Sequence, residues 1–164
     1  MKLFSLVSAA LGIAWVAPAK ASNIKASCAG FLQGSSPVDV NRFYADRAVS
    51  IVRAGLDGDT KALGALVSPI AKFVIWRGDN GTGRQVGTAG VIELARSLAG
   101  TRFQTMTSRP GPISISAAKC EWSAIVLFRT RKPETGINVT FKFVDGVLVE
   151  AEGHEVDLYE GDVR

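Results

Sequence analysis

The fold is decided by the stretch TFKFVDGVLVEA, which covers residues Thr140–Ala151. At its centre, Asp145-Gly146 is among the strongest short signals for a two-residue hairpin turn. The segments on either side are rich in β-branched and aromatic residues, which is typical of strands. The stretch therefore predicts a β-hairpin whose strands cover residues 137–144 and 147–158.

The pairing across this turn assigns side chains to the two faces of the hairpin. Continued without interruption, it pairs Val144 with Val147, Phe143 with Leu148, Phe141 with Glu150, Val139 with Glu152, and Ile137 with His154. Directly opposed residues share a face of a sheet. Because the phenylalanine face is the more apolar one, we expect it to face inward together with Glu150, Glu152 and His154. A β-bulge would reverse this assignment.

The rest of the chain alternates between helical and strand patterns. The predicted helices begin at Ser36-Pro37, at Asp59 and at Thr88, and the second of them ends at Ser68-Pro69. Residues 78–87 are predicted to form a loop. The other predicted strands cover residues 72–77, 102–108 and 113–130. The capping residues and proline support the helix starts. The order α-α-β-α-β-β-β-β predicts an α+β fold, with three helices on a curved, mainly antiparallel sheet that encloses a cone-shaped pocket.

The N-terminal residues have the pattern of a cleavable secretory signal peptide. Met1-Lys2 precedes an uncharged apolar stretch over residues 3–17, and Ala19-Lys20-Ala21 supplies the small-x-small cleavage pattern. The apolar stretch is shorter than the roughly 20 residues of a membrane span, although an uncleaved anchor is the alternative. We expect cleavage after Ala21, a periplasmic or secreted protein, and no membrane contact after cleavage.

Signal cleavage also changes the charge of the protein. The full chain has 19 basic and 15 acidic residues, and loss of Lys2 and Lys20 leaves 17 against 15, a net charge of +2. This small charge argues against nucleic-acid binding. We expect a leader over residues 22–36, a single domain over residues 37–160, and a short tail over residues 161–164.

Two cysteines, Cys28 and Cys120, lie outside the predicted signal peptide. In an oxidising compartment, an even number of cysteines favours a disulfide bond. The bond would tie the leader to the strand that carries Cys120. Two buried free thiols are the alternative.

The search for catalytic motifs leaves one polar group of residues. The chain has a single histidine, no phosphate-binding glycine loop, no nucleophile motif and no zinc-ligand spacing, so we expect neither a metal nor a cofactor. Glu150, Glu152 and His154, if they faced the phenylalanines, could act as general acid and base, because an apolar site raises a carboxylate pKa. The alternative is a solvated strand end or a dimer contact.

Three segments together resemble the nuclear transport factor 2-like (NTF2-like) superfamily, which includes SnoaL-like proteins. They are Gly58–Trp76, Gly87–Ala99 and Thr140–Ala151, and the resemblance extends over about residues 38–160. It implies the cystatin-like α+β cone and a dimerising scaffold with an apolar pocket. The residues that we expect at the pocket, some from the family's architecture and some from the apolar strand faces, are Tyr44, Trp76, Trp122, Phe141 and Phe143. Members of the superfamily differ widely in activity, and many have none known.

Two functions follow from these expectations, and the sequence does not decide whether the protein is an enzyme. The first is an exported domain that binds a small apolar ligand or a protein partner, as a homodimer. The alternative is a SnoaL-like lyase or isomerase that uses carboxylate acid–base chemistry. The enzyme requires a cavity lined by Phe141, Phe143 and Trp76, with Glu150 or Glu152 inside.

Overall fold

The computed structural model describes residues 36–83, 85–105, 114–116, 119–129 and 135–158. The elements of this part of the chain are α1 (Pro37–Asp57), α2 (Thr60–Leu66), β1 (Val67–Arg77), β2 (Asn80–Thr82), α3 (Gly87–Ser97), β3 (Arg102–Thr105), β4 (Ser114–Ser116), β5 (Lys119–Arg129), β6 (Thr135–Val144) and β7 (Val147–Asp157). The seven strands form one sheet in the order β2-β1-β7-β6-β5-β3, and β4 pairs with β5. Only the β1–β7 pairing is parallel among these strands. The predicted α+β class is confirmed.

The first two helices begin where their capping residues predict. The Ser36 hydroxyl accepts a hydrogen bond from the Asp39 backbone N–H at 3.2 Å, at the start of α1. Asp59 accepts one from the Ala62 backbone N–H at 2.9 Å, at the start of α2. Between them, Gly58 ends α1 in the left-handed conformation, with φ 69°.

Strand β1 is longer than the predicted strand over residues 72–77. It begins at Val67, directly after α2, so that Ser68 and Pro69 lie inside the strand rather than ending the helix. Proline is tolerated there because the register between β1 and β7 is irregular from Val67 to Lys72.

Helix α3 begins at Gly87, and the predicted capping role of Thr88 is wrong. Val86 occupies the N-cap position without a side-chain hydrogen bond. Gly87 has φ 60°, and a Cβ atom there would lie 2.7 Å from the carbonyl oxygen of Pro69. The start of this helix is therefore fixed by a close approach to β1, which capping rules do not anticipate.

Two further predicted segments, a strand and a loop, differ from the structure because of antiparallel pairing that was not predicted. Residues 113–130 do not form one long strand, because β4 pairs antiparallel with the start of β5 and places Ile115 opposite Cys120. The predicted loop over residues 78–87 contains β2, which pairs antiparallel with the end of β1.

The core lies between the helices and one face of the sheet, which we call the inner face. Helix α1 packs on both α3 and β5. It approaches α3 closely at Gly55, where a Cβ atom would lie 2.9 Å from Cβ of Ala95. The largest fully buried side chains are Trp122, Phe128, Phe141, Phe143, Ile51, Leu63 and Leu148.

The last hairpin contains a register shift that decides the location of its polar residues. Asp145 and Gly146 have φ 50° and 79°, and the predicted pairs of Val144 with Val147 and Phe143 with Leu148 are confirmed. The next pair is Lys142 with Glu150, so Val149 is an extra residue in β7.

Beyond this bulge, the predicted pairing is wrong. Phe141 pairs with Ala151 and not with Glu150, and Val139 pairs with Gly153 and not with Glu152. Side chains alternate between faces with a period of two, so a shift of one residue moves each polar residue to the opposite face. Glu150, Glu152 and His154 therefore lie on the outer face, away from the phenylalanines.

Residues 1–35 and 159–164 lie outside the described part of the chain. They include the predicted signal peptide, the predicted tail and all of the predicted leader except Ser36. No helix of the described part combines the length and the apolar character that a membrane crossing requires.

Candidate functional site

Four aromatic rings meet between α1 and the sheet, and we call them the aromatic cluster: Phe43, Tyr44, Trp122 and Phe143. Helix α1 contributes Phe43 and Tyr44, whose centroids are 5.3 Å apart in an edge-to-face arrangement. Tyr44 stacks on Trp122 of β5 at 5.8 Å and contacts Phe143 of β6 at 4.9 Å. Trp122 and Phe143 are directly opposed in the β5–β6 register. The inward period of both strands thus brings three of the predicted pocket residues together.

Two polar atoms in this part of the core have no hydrogen-bond partner. Trp122 is 1% exposed and its Nε1 is unpaired, and Asn41 is 3% exposed and its Oδ1 is unpaired. Asn41 lies one helical turn before Tyr44, on the same stripe of α1. Buried polar groups are nearly always paired, so an unpaired donor and acceptor in one region need an explanation.

The electrostatic environment of Tyr44 is set by two charged neighbours as well as by burial. Burial raises the pKa of its hydroxyl, the positive charge of Arg47 lowers it, and the negative charge of Asp145 raises it. Asp145 is held in place by a hydrogen bond from the Cys120 backbone N–H to its Oδ1, at 3.0 Å.

Arg47 is half-buried beside Tyr44. Its Nε is buried and has no hydrogen-bond partner. Burial lowers the pKa of its guanidinium, and Tyr44 opposes that shift. The cluster is therefore bordered by a cation whose charge no side chain of the described residues neutralises through an ion pair.

Two predicted pocket residues are not part of this cluster. Phe141 packs against Phe128, with centroids 6.3 Å apart, deeper in the core. Trp76 pairs in register with His154 and lies on the outer face. The predicted cavity lined by Phe141, Phe143 and Trp76 is therefore wrong, because the sheet separates Trp76 from the two phenylalanines.

On the outer face, two of the predicted catalytic residues do come together. The Trp76 Nε1–H donates to Glu152 Oε1 at 3.0 Å, and His154 Nε2 lies 3.4 Å from the same oxygen. Glu150 lies nearby, in a groove of about 390 Å³ that Lys72 and Trp76 also line.

The acid–base hypothesis required Glu150, Glu152 and His154 to lie among the phenylalanines, and their actual surroundings on the outer face are different. The side chains of Glu152 and His154 are 47% and 58% exposed. Both side chains are about half exposed, and the aromatic contact of Glu152 is with Trp76 on the outer face. The hairpin therefore does not enclose a carboxylate among the phenylalanines. A catalytic role for Glu150, Glu152 and His154 stays a prediction, and it would have to operate from the outer face.

Two further expectations concern the absence of a metal and the Cys28–Cys120 disulfide bond. Within the described ranges, no group of three His, Cys, Asp or Glu side chains could hold a metal ion. Cys120 is buried and is not a free cysteine. Cys28 lies outside the described residues, so the Cys28–Cys120 bond stays a prediction.

Sequence reasoning missed Asn41 and Arg47. Asn41 carries a signal, because it lies three residues before Tyr44 and seven before Ala48 on the apolar stripe of α1. A polar residue on such a stripe marks a buried polar group. Arg47 carries a similar signal, because it lies four residues after Phe43 and four before Ile51, but arginine at the border of a helix stripe is usually solvated.

The helices, the sheet and the aromatic cluster between them define an α+β cone. Solved structures of similar fold include an NTF2-like protein of unknown function from Silicibacter pomeroyi, with 11% identity over 74% of this chain and 100% of that chain and a TM-score of 0.47. Two proteins of Burkholderia xenovorans are also similar at 14% identity. One has a cystatin-like fold, and the match covers 74% of this chain and 95% of that chain with a TM-score of 0.43. The other is NTF2-like, and the match covers 68% of this chain and 90% of that chain with a TM-score of 0.39. At these identities the likeness concerns the fold alone. No family model and no curated protein matches the sequence.

Proposed function

We propose that this domain binds a small, largely apolar molecule inside the cone, at the aromatic cluster, and that it does so without catalysing a reaction. The observation that carries the proposal is the pair of unpaired buried atoms, Trp122 Nε1 and Asn41 Oδ1. In keeping with the N-terminal pattern, binding would take place in the periplasm or outside the cell.

The physical argument is the cost of leaving such atoms unpaired. A buried donor or acceptor without a partner costs about 1–3 kcal/mol. A ligand that offers an acceptor to Trp122 and a donor to Asn41 would recover this cost, while its apolar body would contact the rings of Tyr44 and Phe143. Ligand sites commonly combine aromatic walls with a few placed polar groups.

The enzyme alternative has less support. It required a carboxylate enclosed by the aromatic residues of the cone, and Glu150 and Glu152 lie on the outer face. The polar groups described at or beside the cluster are the phenol of Tyr44, the indole of Trp122, the amide of Asn41 and the guanidinium of Arg47, which suit binding more than proton transfer.

Asn41→Leu tests the proposal, because leucine has a similar volume and no polar atoms. We expect the variant to bind N-phenyl-1-naphthylamine, a fluorescent apolar amine, at least about fivefold more weakly than the wild type, through loss of a hydrogen bond. We also expect the ligand-free variant to be more stable by about 1 kcal/mol in thermal melts, because an unpaired buried oxygen is removed.

The control is Asn80→Leu, because Asn80 is exposed on β2, away from the cone. Its affinity for the probe should match that of the wild type. Equal binding by wild type and Asn41→Leu, or no binding by either, would contradict the proposal.

The outer face favours a second role, self-association into a homodimer. Lys72, Glu150 and Lys142 are neighbours in one row across β1, β7 and β6, yet no ion pair joins them. A two-fold axis that passes between Lys72 and Glu150 would place Lys72 of each copy opposite Glu150 of the other. Light scattering across a range of concentrations and salt should show a dimer that Glu150→Lys disrupts; a monomer throughout would contradict it.

A further inference from the structure

We propose that the molecule bound at the aromatic cluster carries an oxyanion, such as a carboxylate, and that Arg47 binds this group. The inference rests on the proposed function, because it assigns a chemical class to the ligand of the same site.

The first line of support is the position of Arg47. It lies on α1 three residues after Tyr44 and four after Phe43, so its side chain emerges next to both rings. Its charge acts on the Tyr44 hydroxyl. An anion seated against Tyr44 would therefore lie within reach of the guanidinium.

The second line of support is that the charge of Arg47 is uncompensated. The Nε atom is buried without a hydrogen-bond partner, and no ion pair joins Arg47 to a carboxylate of the described residues. Partial burial of an unpaired cation is unfavourable, and it lowers the pKa of this guanidinium. A bound anion would offset the cost of this partial burial.

The third line of support is the match between donors and ligand. Arginine presents its N–H groups in a planar fork that fits the two oxygens of a carboxylate. The unpaired Trp122 Nε1–H adds another donor at the same cluster. Two unpaired donors beside stacked rings favour an aromatic or aliphatic acid over a neutral hydrocarbon.

One carboxylate opposes this arrangement. The negative charge of Asp145 acts on Tyr44 from the turn between β6 and β7. Its Oδ1 is engaged by the Cys120 N–H, and the residue is exposed, so solvent screens part of its charge. Asp145 should weaken binding of an anion modestly, which provides a second test.

The experiment compares two probes that share one ring system. 8-Anilinonaphthalene-1-sulfonate carries an oxyanion, and N-phenyl-1-naphthylamine is the same molecule without it. Fluorescence titrations with the purified protein would give Kd for each probe with wild type, Arg47→Met, Arg47→Lys and Asp145→Asn. Arg42→Met is the matched control, because Arg42 is an exposed arginine on the same helix.

We expect Arg47→Met to weaken the sulfonate probe by about tenfold or more and the neutral probe by less than about twofold. Arg47→Lys should recover only part of the sulfonate affinity, because lysine keeps the charge and loses the fork. Asp145→Asn should strengthen the sulfonate probe, and Arg42→Met should change neither.

The outcomes separate this inference from the proposed function. If the neutral probe binds but Arg47→Met affects both probes equally, or affects the sulfonate no more than Arg42→Met does, the anion assignment is wrong and the proposed function stands. If neither probe binds the wild type, both are wrong. Thermal melts of each variant show whether a loss of binding reflects a loss of folding.

Discussion

At the scale of single residues, Tyr44 of α1 packs against β5 and β6 and lies close to two charged side chains, Arg47 and Asp145. Its ring contacts Phe43, Trp122 and Phe143, and its hydroxyl lies in the field of Arg47 and Asp145. One side chain therefore links the packing of α1 on the sheet to the electrostatics of the candidate site. A change at Tyr44 should be visible in stability as well as in binding.

The pH dependence of stability tests this environment. Burial is the largest of the effects on Tyr44, and it raises the pKa above the ordinary value of 10.0. The unfolded state therefore releases the proton at lower pH than the folded state. The stabilising contribution is therefore complete below pH 10 and declines as the pH rises through the folded-state pKa. Tyr44→Phe should show a smaller loss of unfolding free energy than the wild type between about pH 9 and 11.

Urea unfolding at several pH values provides the measurement. The chain has two tyrosines, so Tyr159→Phe serves as the matched control. An alkaline slope that is the same in wild type and Tyr44→Phe would show that the hydroxyl is as well solvated when folded as when unfolded.

At the scale of elements, the bulge in β7 decides which face each polar residue occupies. Val149 is the extra residue, and the pairs on both sides of it keep the phenylalanines inward. Deleting Val149 should leave a regular hairpin with the same faces, and we expect it to cost less than about 2 kcal/mol. Deleting Ala151 should cost far more, because the residues after it change faces and Glu152 is driven inward.

The comparison of the two deletions is a thermal or urea denaturation series. Each variant lacks one residue from the same strand, and the main difference between them is whether the register beyond the bulge is kept. Equal destabilisation by both deletions would contradict the assignment of Val149 as the extra residue.

The helices and strands also show which features of the fold the sequence predicts. Ser36, Asp59 and Asp145-Gly146 act through their own few neighbours, and the helix starts and the turn that they predict are confirmed. The bulge depends on how β7 fits between β1 and β6, which no local pattern encodes. For the same reason, the outward position of Glu150 and Glu152 could not be predicted from alternation alone.

At the scale of the whole molecule, the helices and the sheet of the described residues form a cone whose two faces carry different groups of side chains. The inner face carries the aromatic cluster, with unpaired polar atoms and an unneutralised arginine at its border. The outer face carries the Trp76, Glu152 and His154 contacts and a row of unpaired charges. The sheet thus separates a candidate ligand site from a candidate association surface, and each can be altered without the other.

The central claim is that the inner face binds a small molecule. Native mass spectrometry of the protein, purified from the cells that express it, tests this claim most directly. We expect the wild-type protein to carry a dissociable small organic acid, with its occupancy reduced in Asn41→Leu and in Arg47→Met and unchanged in Arg42→Met. A wild-type spectrum with only the mass of the bare chain would contradict the claim.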